Sequence, residues 1–301
     1  MVIWNKRGLW KINIVEKNTI QEVLLESYKI LKKVKIESYL IDSQLLLGKV
    51  LNKDKLFIMI NRDFKLNIEQ RNEFFRLIHI RKNKMPIKYI LEKCEFMGMD
   101  FIVKPGVLIP RPDTEILVEE VIKYVKEKGL TQICDVCTGS GAIGISIAEF
   151  IKEVNVTLYD ISEDALAIAR LNIDKFNLSK RISIDNSDLL KVAIVKQKKF
   201  EVIVSNPPYI KKNIIPTLME DVKGYEPFIA LCGGEDGLDF YRRITKESVL
   251  VLQKGGFLAF EIGYDQKEAV VNILLKAGFE NIQCVKDLSG NDRVIKANLL
   301  D

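Results

Sequence analysis

Histidine is nearly absent from this chain, with His79 the single example in 301 residues, and cysteine is sparse, at positions 94, 134, 137, 232 and 284. An odd, scattered set of thiols makes a poor disulfide framework and fits reduced cysteines. Cys134 and Cys137 do form a C-x-x-C, but they lie on an expected strand, where odd spacing points the two side chains to opposite faces, and one histidine adds little. No metal site is expected. Long apolar runs are lacking too: the longest uncharged stretch, Val136 to Ala148, is too short and glycine-rich to cross a bilayer, which takes roughly 20 apolar residues. Asn5, Lys6 and Arg7 interrupt the N-terminal apolar residues before a signal-peptide core can form, so a cytoplasmic protein is expected. Neither sign of charge dominates, since 46 basic residues against 41 acidic ones leave a net charge of +5. That mild excess can assist an acidic partner but does not point to nucleic acid. Internal repeats and low-complexity segments are missing as well.

What the chain does have is core-forming material, with apolar residues at 48% and charged ones at 29%, the balance of a folded globular protein. From Thr19 to about Tyr89, apolar residues recur at helical spacing, as in Val23, Leu24, Ile30 and Leu31, and the spacing predicts helices near 20–33, 36–51, 54–60 and 68–83. The prefix Met1 to Asn18 has no clear period. Between Cys94 and Pro112 the pattern becomes alternating and is punctuated by Gly98 and Pro105-Gly106, which predicts a β-hairpin linker. Beyond Pro112, helical stretches alternate with seven short apolar runs, at 133–137, 156–160, 182–185, 202–205, 257–262, 282–286 and 294–297. This alternation is the pattern of an α/β domain with a mostly parallel sheet. The last two runs are separated only by a turn, so an antiparallel pair should end the sheet. The expected division is a helical domain over 1–93, a linker over 94–111 and the sheet domain over 112–301.

Directly after the first run of the sheet domain come Asp135, Val136, Cys137, Thr138, Gly139, Ser140, Gly141, Ala142, Ile143 and Gly144, which open a helix. Glycines let backbone turn tightly beside a ligand, and the helix N-terminus offers unpaired N–H groups to an anionic group. Gly139, Gly141 and Gly144 also satisfy the dinucleotide fingerprint G-x-G-x-x-G, and a turn that only packs helix on strand would use the same residues. Asp160, at the end of the second run, can accept both ribose hydroxyls of an adenosine, because the capping role there is already filled by Ser162. Asp188 and Leu189 after the third run offer a carboxylate for an adenine amine and an apolar side chain for its ring, although an aspartate in a loop is often just solvated.

Asn206-Pro207-Pro208-Tyr209 follows the fourth run, where ligands bind in such folds. Pro207 has no N–H, and its carbonyl sits on rigid backbone. The Asn206 side-chain oxygen and the Pro207 carbonyl can together bind both hydrogens of one NH₂ group and leave the nitrogen lone pair facing a methyl donor. Tyr209 offers a flat wall for a planar group. An amide nitrogen is a poor nucleophile because its lone pair is delocalised, so orientation is what such a site must contribute. A dinucleotide enzyme has no need of this tetrapeptide; a double-proline turn capping a strand is the bland alternative.

Together these residues resemble the class I S-adenosylmethionine-dependent methyltransferases, and more closely the release factor glutamine methyltransferase family (HemK/PrmC type). The likeness extends from about Thr19 onward and includes Phe96-Met97-Gly98, the run Leu108 to Glu115, Tyr225-Glu226-Pro227, Gly233 to Leu238, and Glu261 to Tyr264. The resemblance implies a seven-stranded Rossmann-like methyltransferase sheet, S-adenosylmethionine as cofactor, and as substrate the Gly-Gly-Gln glutamine of class 1 release factors, held with help from the helical domain. It implies a cofactor site at Asp135, Cys137, Thr138, Gly139, Ser140, Gly141, Asp160, Asp188, Leu189 and Asn206. Asn206, Pro207, Pro208 and Tyr209 are expected to be both catalytic and substrate-binding, with Leu108 and Pro110 as an opposite apolar wall to the substrate. A monomer that binds no nucleic acid directly is expected. Cys137 stands where the family usually has glycine, at a steric cost if the backbone there needs positive φ. The basic stretch at 76–93, with Arg76, Arg81, Lys82, Lys84 and Lys88, fits a solvated helix face equally well. Rival activities are a ribosomal-protein glutamine methyltransferase, an adenine-N6 nucleic acid methyltransferase, and a silent scaffold.

Overall fold

The computed structural model describes residues 18–300, so the prefix without a clear period lies outside the described residues except for Asn18. The chain divides into two compact units, the first ending at Leu91 and the second beginning at Glu92.

The first unit is helical: α1 (Ile20–Lys33), α2 (Tyr39–Leu51), α3 (Lys55–Ile60), α4 (Ile68–Lys82) and α5 (Ile87–Leu91). Two capping boxes start α1 and α4. Thr19 and Glu22 exchange side-chain and backbone hydrogen bonds, as do Asn67 and Gln70, which satisfies donors the first helical turn leaves unpaired. Ile20, Val23, Leu31, Leu46, Leu47, Phe74 and Ile78 form the core. The expectation of a wholly solvated basic face fails at Arg81, which is buried and bonds Asp42 at 2.7 Å. Helix α4 ends within a residue of the expected 83, and Lys84 at φ +73° and Pro86 separate it from the short α5, which periodicity did not predict.

The second unit opens with an antiparallel hairpin, β1 (Lys93–Phe96) and β2 (Met99–Ile102). Its two turn residues, Met97 and Gly98, both have positive φ, the geometry that matches the twist of paired strands. There follow α6 (Thr114–Lys128), β3 (Gln132–Val136), α7 (Ala142–Phe150), β4 (Asn155–Asp160), α8 (Glu163–Lys175), β5 (Ile182–Asn186), α9 (Lys191–Val195) and β6 (Phe200–Ser205). After a long connection that carries α10 (Glu220–Lys223) and α11 (Phe228–Leu231) come α12 (Asp239–Val251), β7 (Leu252–Glu261), α13 (Lys267–Lys276), β8 (Phe279–Lys286) and β9 (Asp292–Leu299).

The seven-stranded sheet has the order β5-β4-β3-β6-β7-β9-β8, parallel except for β9, which is antiparallel to both its neighbours. Chain progression reverses between β3 and β6, and the carboxyl ends of the strands flanking such a point are where open α/β sheets bind ligands. Alternate residues of β3 enter different apolar clusters, Ile133 one and Cys134 and Val136 the other. The expectation that Cys134 and Cys137 face opposite ways is overturned, because both pack against the second cluster. The strand ends at Val136, and Cys137 turns to φ +60°, where alternation no longer applies.

Candidate active site

The glycine loop between β3 and α7 is held from below by Asp135. This buried carboxylate accepts the Thr138 hydroxyl at 2.6 Å and the Gly144 N–H at 3.0 Å, and burial pushes its pKa up to about 7. Thr138 also donates its N–H to the Tyr159 carbonyl of β4, and Asn172 of α8 donates to the Ser140 carbonyl while bonding both backbone groups of Ile102 in β2. The loop is therefore clamped to strand, helix and hairpin. Gly144 supplies close packing, because a Cβ there would stand 2.4 Å from Leu158 Cδ2 and 3.1 Å from Val156 Cγ1. Gly139, at φ +56°, donates its N–H to Asp160 Oδ2 at 2.8 Å, and a Cβ on it would meet nothing within 4 Å.

Above this loop lies a cavity of about 310 Å³ at the carboxyl edge of the sheet. Of the residues singled out from sequence, Leu108, Cys137, Gly139, Asp160, Asp188, Leu189, Asn206 and Pro208 line it together. Asp135, Thr138, Ser140 and Gly141 are buried, and neither they nor Pro110, Pro207 and Tyr209 contribute to its lining. Ile161, Ala165, Phe240 and Arg243 line it and were not foreseen, since nothing in their local sequence separates a lining residue from a core one.

Asp160 holds its carboxylate in place with two backbone donors, Gly139 and Ser162, the latter at 3.0 Å from Oδ1, and burial raises its carboxyl above the usual range. Asp188 is differently engaged. Its two oxygens accept Arg243 Nη2 and Lys191 Nζ, each at 2.6 Å, and these cations hold its carboxyl below the usual range. Arg111 pairs with the buried Glu226, tying the segment before α6 to the connection that carries α11.

Asn206, one residue past β6, donates from Nδ2 to Thr114 Oγ1 at 3.2 Å. Thr114 in turn donates to Glu261 Oε2 at 2.5 Å, and Tyr209 donates its hydroxyl to Glu261 Oε1 at 3.2 Å. Thr114 is 4% exposed and Glu261 2%, so this carboxylate is satisfied by protein alone. That bond uses one of the two Nδ2 hydrogens and turns the carbonyl oxygen away from Thr114, leaving it as the side chain's acceptor for a ligand at the cavity wall. The Tyr209 carbonyl accepts Gln266 Nε2 at 3.0 Å, which fixes the far end of the tetrapeptide.

Residues 111–221 match the methyltransferase small domain family, and residues 22–91 match the PrmC N-terminal domain family. A release factor glutamine methyltransferase of Clostridium botulinum is 55% identical over 92% of this chain and 98% of its own length. The chain belongs to the release factor glutamine methyltransferase family. A second member, from Clostridium acetobutylicum, is 52% identical over the same shares of the two chains. The solved catalytic domain of hMettl16, in complex with the MAT2A 3′UTR hairpin 6, shares the fold, with a TM-score of 0.55 over 75% of this chain and 82% of that one at 15% identity. This family member is a methyltransferase, and S-adenosylmethionine is its methyl donor. The cavity suits that molecule: a carboxylate stands over the glycine loop, apolar Leu189, Ile161 and Ala165 offer surface for a purine, and Gly139 borders open space.

Proposed function

We propose that this enzyme methylates the side-chain amide nitrogen of the glutamine in the Gly-Gly-Gln motif of class 1 peptide chain release factors. The observation that carries this is the orientation of Asn206, whose nitrogen is directed at Thr114 and whose oxygen is thereby free to accept from a substrate NH₂ beside the cavity. The names of the two clostridial relatives supply the substrate class.

The methyl donor would be held by the loop at Cys137 to Gly141, supported by Asp135, with Asp160 taking ribose hydroxyls and Asp188 and Leu189 near the adenine. When bound, it supplies a methyl group on positively charged sulfur, and that charge is lost as the group is transferred. The substrate amide enters against Asn206, Pro207, Pro208 and Tyr209, with Leu108 and Pro110 on the opposite side. Asn206 Oδ1 and the Pro207 carbonyl accept its two hydrogens and hold the plane of the group edge-on, so the nitrogen lone pair points along the line of attack. With both hydrogens accepted by oxygen, the positive charge that builds up on nitrogen is stabilised, and the surplus proton leaves to water. The helical unit contributes to holding the release factor, the enzyme acts as a monomer without contacting nucleic acid directly, and it works in the cytoplasm. In support, no helix among the described residues is long and apolar enough to cross a membrane, and the net charge is only +5.

The test is transfer of labelled methyl from S-adenosylmethionine to purified release factors, ribosomal proteins and DNA in parallel, with mass spectrometry of the labelled product. Label confined to the Gly-Gly-Gln glutamine is expected. Label on a ribosomal-protein glutamine or on adenine would replace this function with one of its rivals.

A further inference from the structure

Asn206 can meet a substrate NH₂ with oxygen only if its own amide is prevented from turning over. The two ends of an asparagine amide have nearly the same shape, so packing discriminates between them poorly and hydrogen-bond polarity must do so. The polarity here starts at Glu261, which is fully enclosed and receives two hydroxyls, Thr114 at 2.5 Å and Tyr209 at 3.2 Å. A carboxylate only accepts, so the single Thr114 hydroxyl hydrogen is committed to it. What Thr114 has left for Asn206 is a lone pair. A lone pair can be met only by the amide nitrogen, found 3.2 Å away, and the oxygen is thereby turned to the other side.

We infer that Glu261 and Thr114 are positioning residues for methyl transfer, a buried carboxylate and hydroxyl that set the direction of the Asn206 amide and so keep its acceptor toward the substrate. This rests on the proposed role of Asn206 and extends it to two residues on other elements, at the start of α6 and the end of β7. Burial pushes the Glu261 carboxyl up from its usual range, while Thr114, Arg293 and Tyr209 pull it back toward ionisation. The same carboxylate anchors the Tyr209 ring through its hydroxyl, so both ends of the tetrapeptide side-chain set are referred to one buried charge.

The experiment compares wild type with Thr114→Val, Thr114→Ala and Thr114→Ser. The readouts are kcat and KM on a purified release factor and donor affinity by calorimetry. Val keeps the shape without the hydroxyl, Ala relieves any crowding that Val introduces, and Ser keeps the hydroxyl without the methyl. In Val and Ala the amide is free to turn, and kcat is expected to fall on the order of ten- to a hundredfold, as for other small losses of alignment. Donor affinity should stay within about threefold, KM for the release factor should change less than kcat because one amide contact is a small part of what holds a protein substrate, and Ser should restore kcat to within about threefold of wild type. Retention of wild-type kcat in Val or Ala would overturn the inference, and so would a Ser variant as slow as Val, which would make Thr114 a packing residue. The proposed function fails separately, and visibly, if the wild-type enzyme itself leaves the release factor unmethylated.

Discussion

Replacing Asp160 with alanine removes a carboxylate that is bonded on the protein side by Gly139 N–H at 2.8 Å and Ser162 N–H at 3.0 Å and that faces the cavity. The two orphaned donors border an open cleft where water can reach them, so the fold should lose only about 1 kcal/mol. Helix α8 keeps its cap, since Ser162 Oγ still accepts from Ala165 N at 3.2 Å. Donor binding loses more, because hydrogen bonds to a charged group are worth about 1.5–3 kcal/mol, which corresponds to a roughly 10- to 150-fold rise in Kd. The assay is calorimetric titration of S-adenosylmethionine into both proteins, with a thermal melt to check that the variant is folded. Asp160→Asn, which keeps one acceptor, should fall between them. A folded Asp160→Ala protein whose Kd stays within threefold of wild type would refute the assignment of Asp160 to the donor.

Three further outcomes follow from the loop beneath the cavity. Asp135 has a folded pKa of about 7 against an ordinary 3.8, so the native state binds the extra proton and stability from this group falls as pH rises between those values. The span is worth up to about 4 kcal/mol, and urea unfolding followed by circular dichroism from pH 4 to 8 should show a flatter profile for Asp135→Asn than for wild type. Gly144→Ala puts a methyl 2.4 Å from Leu158 Cδ2 and should cost about 1–3 kcal/mol in the same unfolding assay, with the damage felt where α7 packs on β4. Cys137 occupies the left-handed region at φ +60°, which costs a side-chain-bearing residue about 1–2 kcal/mol. Cys137→Gly removes that strain but adds roughly 0.5–1 kcal/mol of backbone entropy, so unfolding should show stability unchanged or up to about 1.5 kcal/mol higher.

Features written locally in the chain were legible in advance. Helical spacing of apolar residues announces α1, short apolar runs mark the seven strands, and the turn between β8 and β9 announces an antiparallel end to the sheet. The cleft residues that follow strand ends, Gly139, Asp160, Asp188, Leu189 and Asn206, could be placed for the same reason: the carboxyl ends of parallel strands converge. Relations between distant elements could not be read that way. Thr114 and Glu261 are 147 positions apart, and each sits in a segment noted for resemblance without any sign that the two meet. Arg81 looked like one more surface cation until Asp42, 39 residues earlier, was seen to bury with it. Cys137 was misjudged by one residue of strand, since alternation ends at Val136. Arg243 and Phe240 come from α12, whose N-terminal turn reaches the cavity only because the chain returns to it after a long connection.

The division of labour at the site is tested most directly with Asn206→Ala, measured for donor affinity by calorimetry and for methyl transfer to a release factor under saturating donor. Asn206 is assigned to holding the substrate amide, so donor Kd should remain within about threefold of wild type while turnover is lost. Equal losses of donor affinity and turnover, or a variant that still methylates at the wild-type rate, would contradict the account.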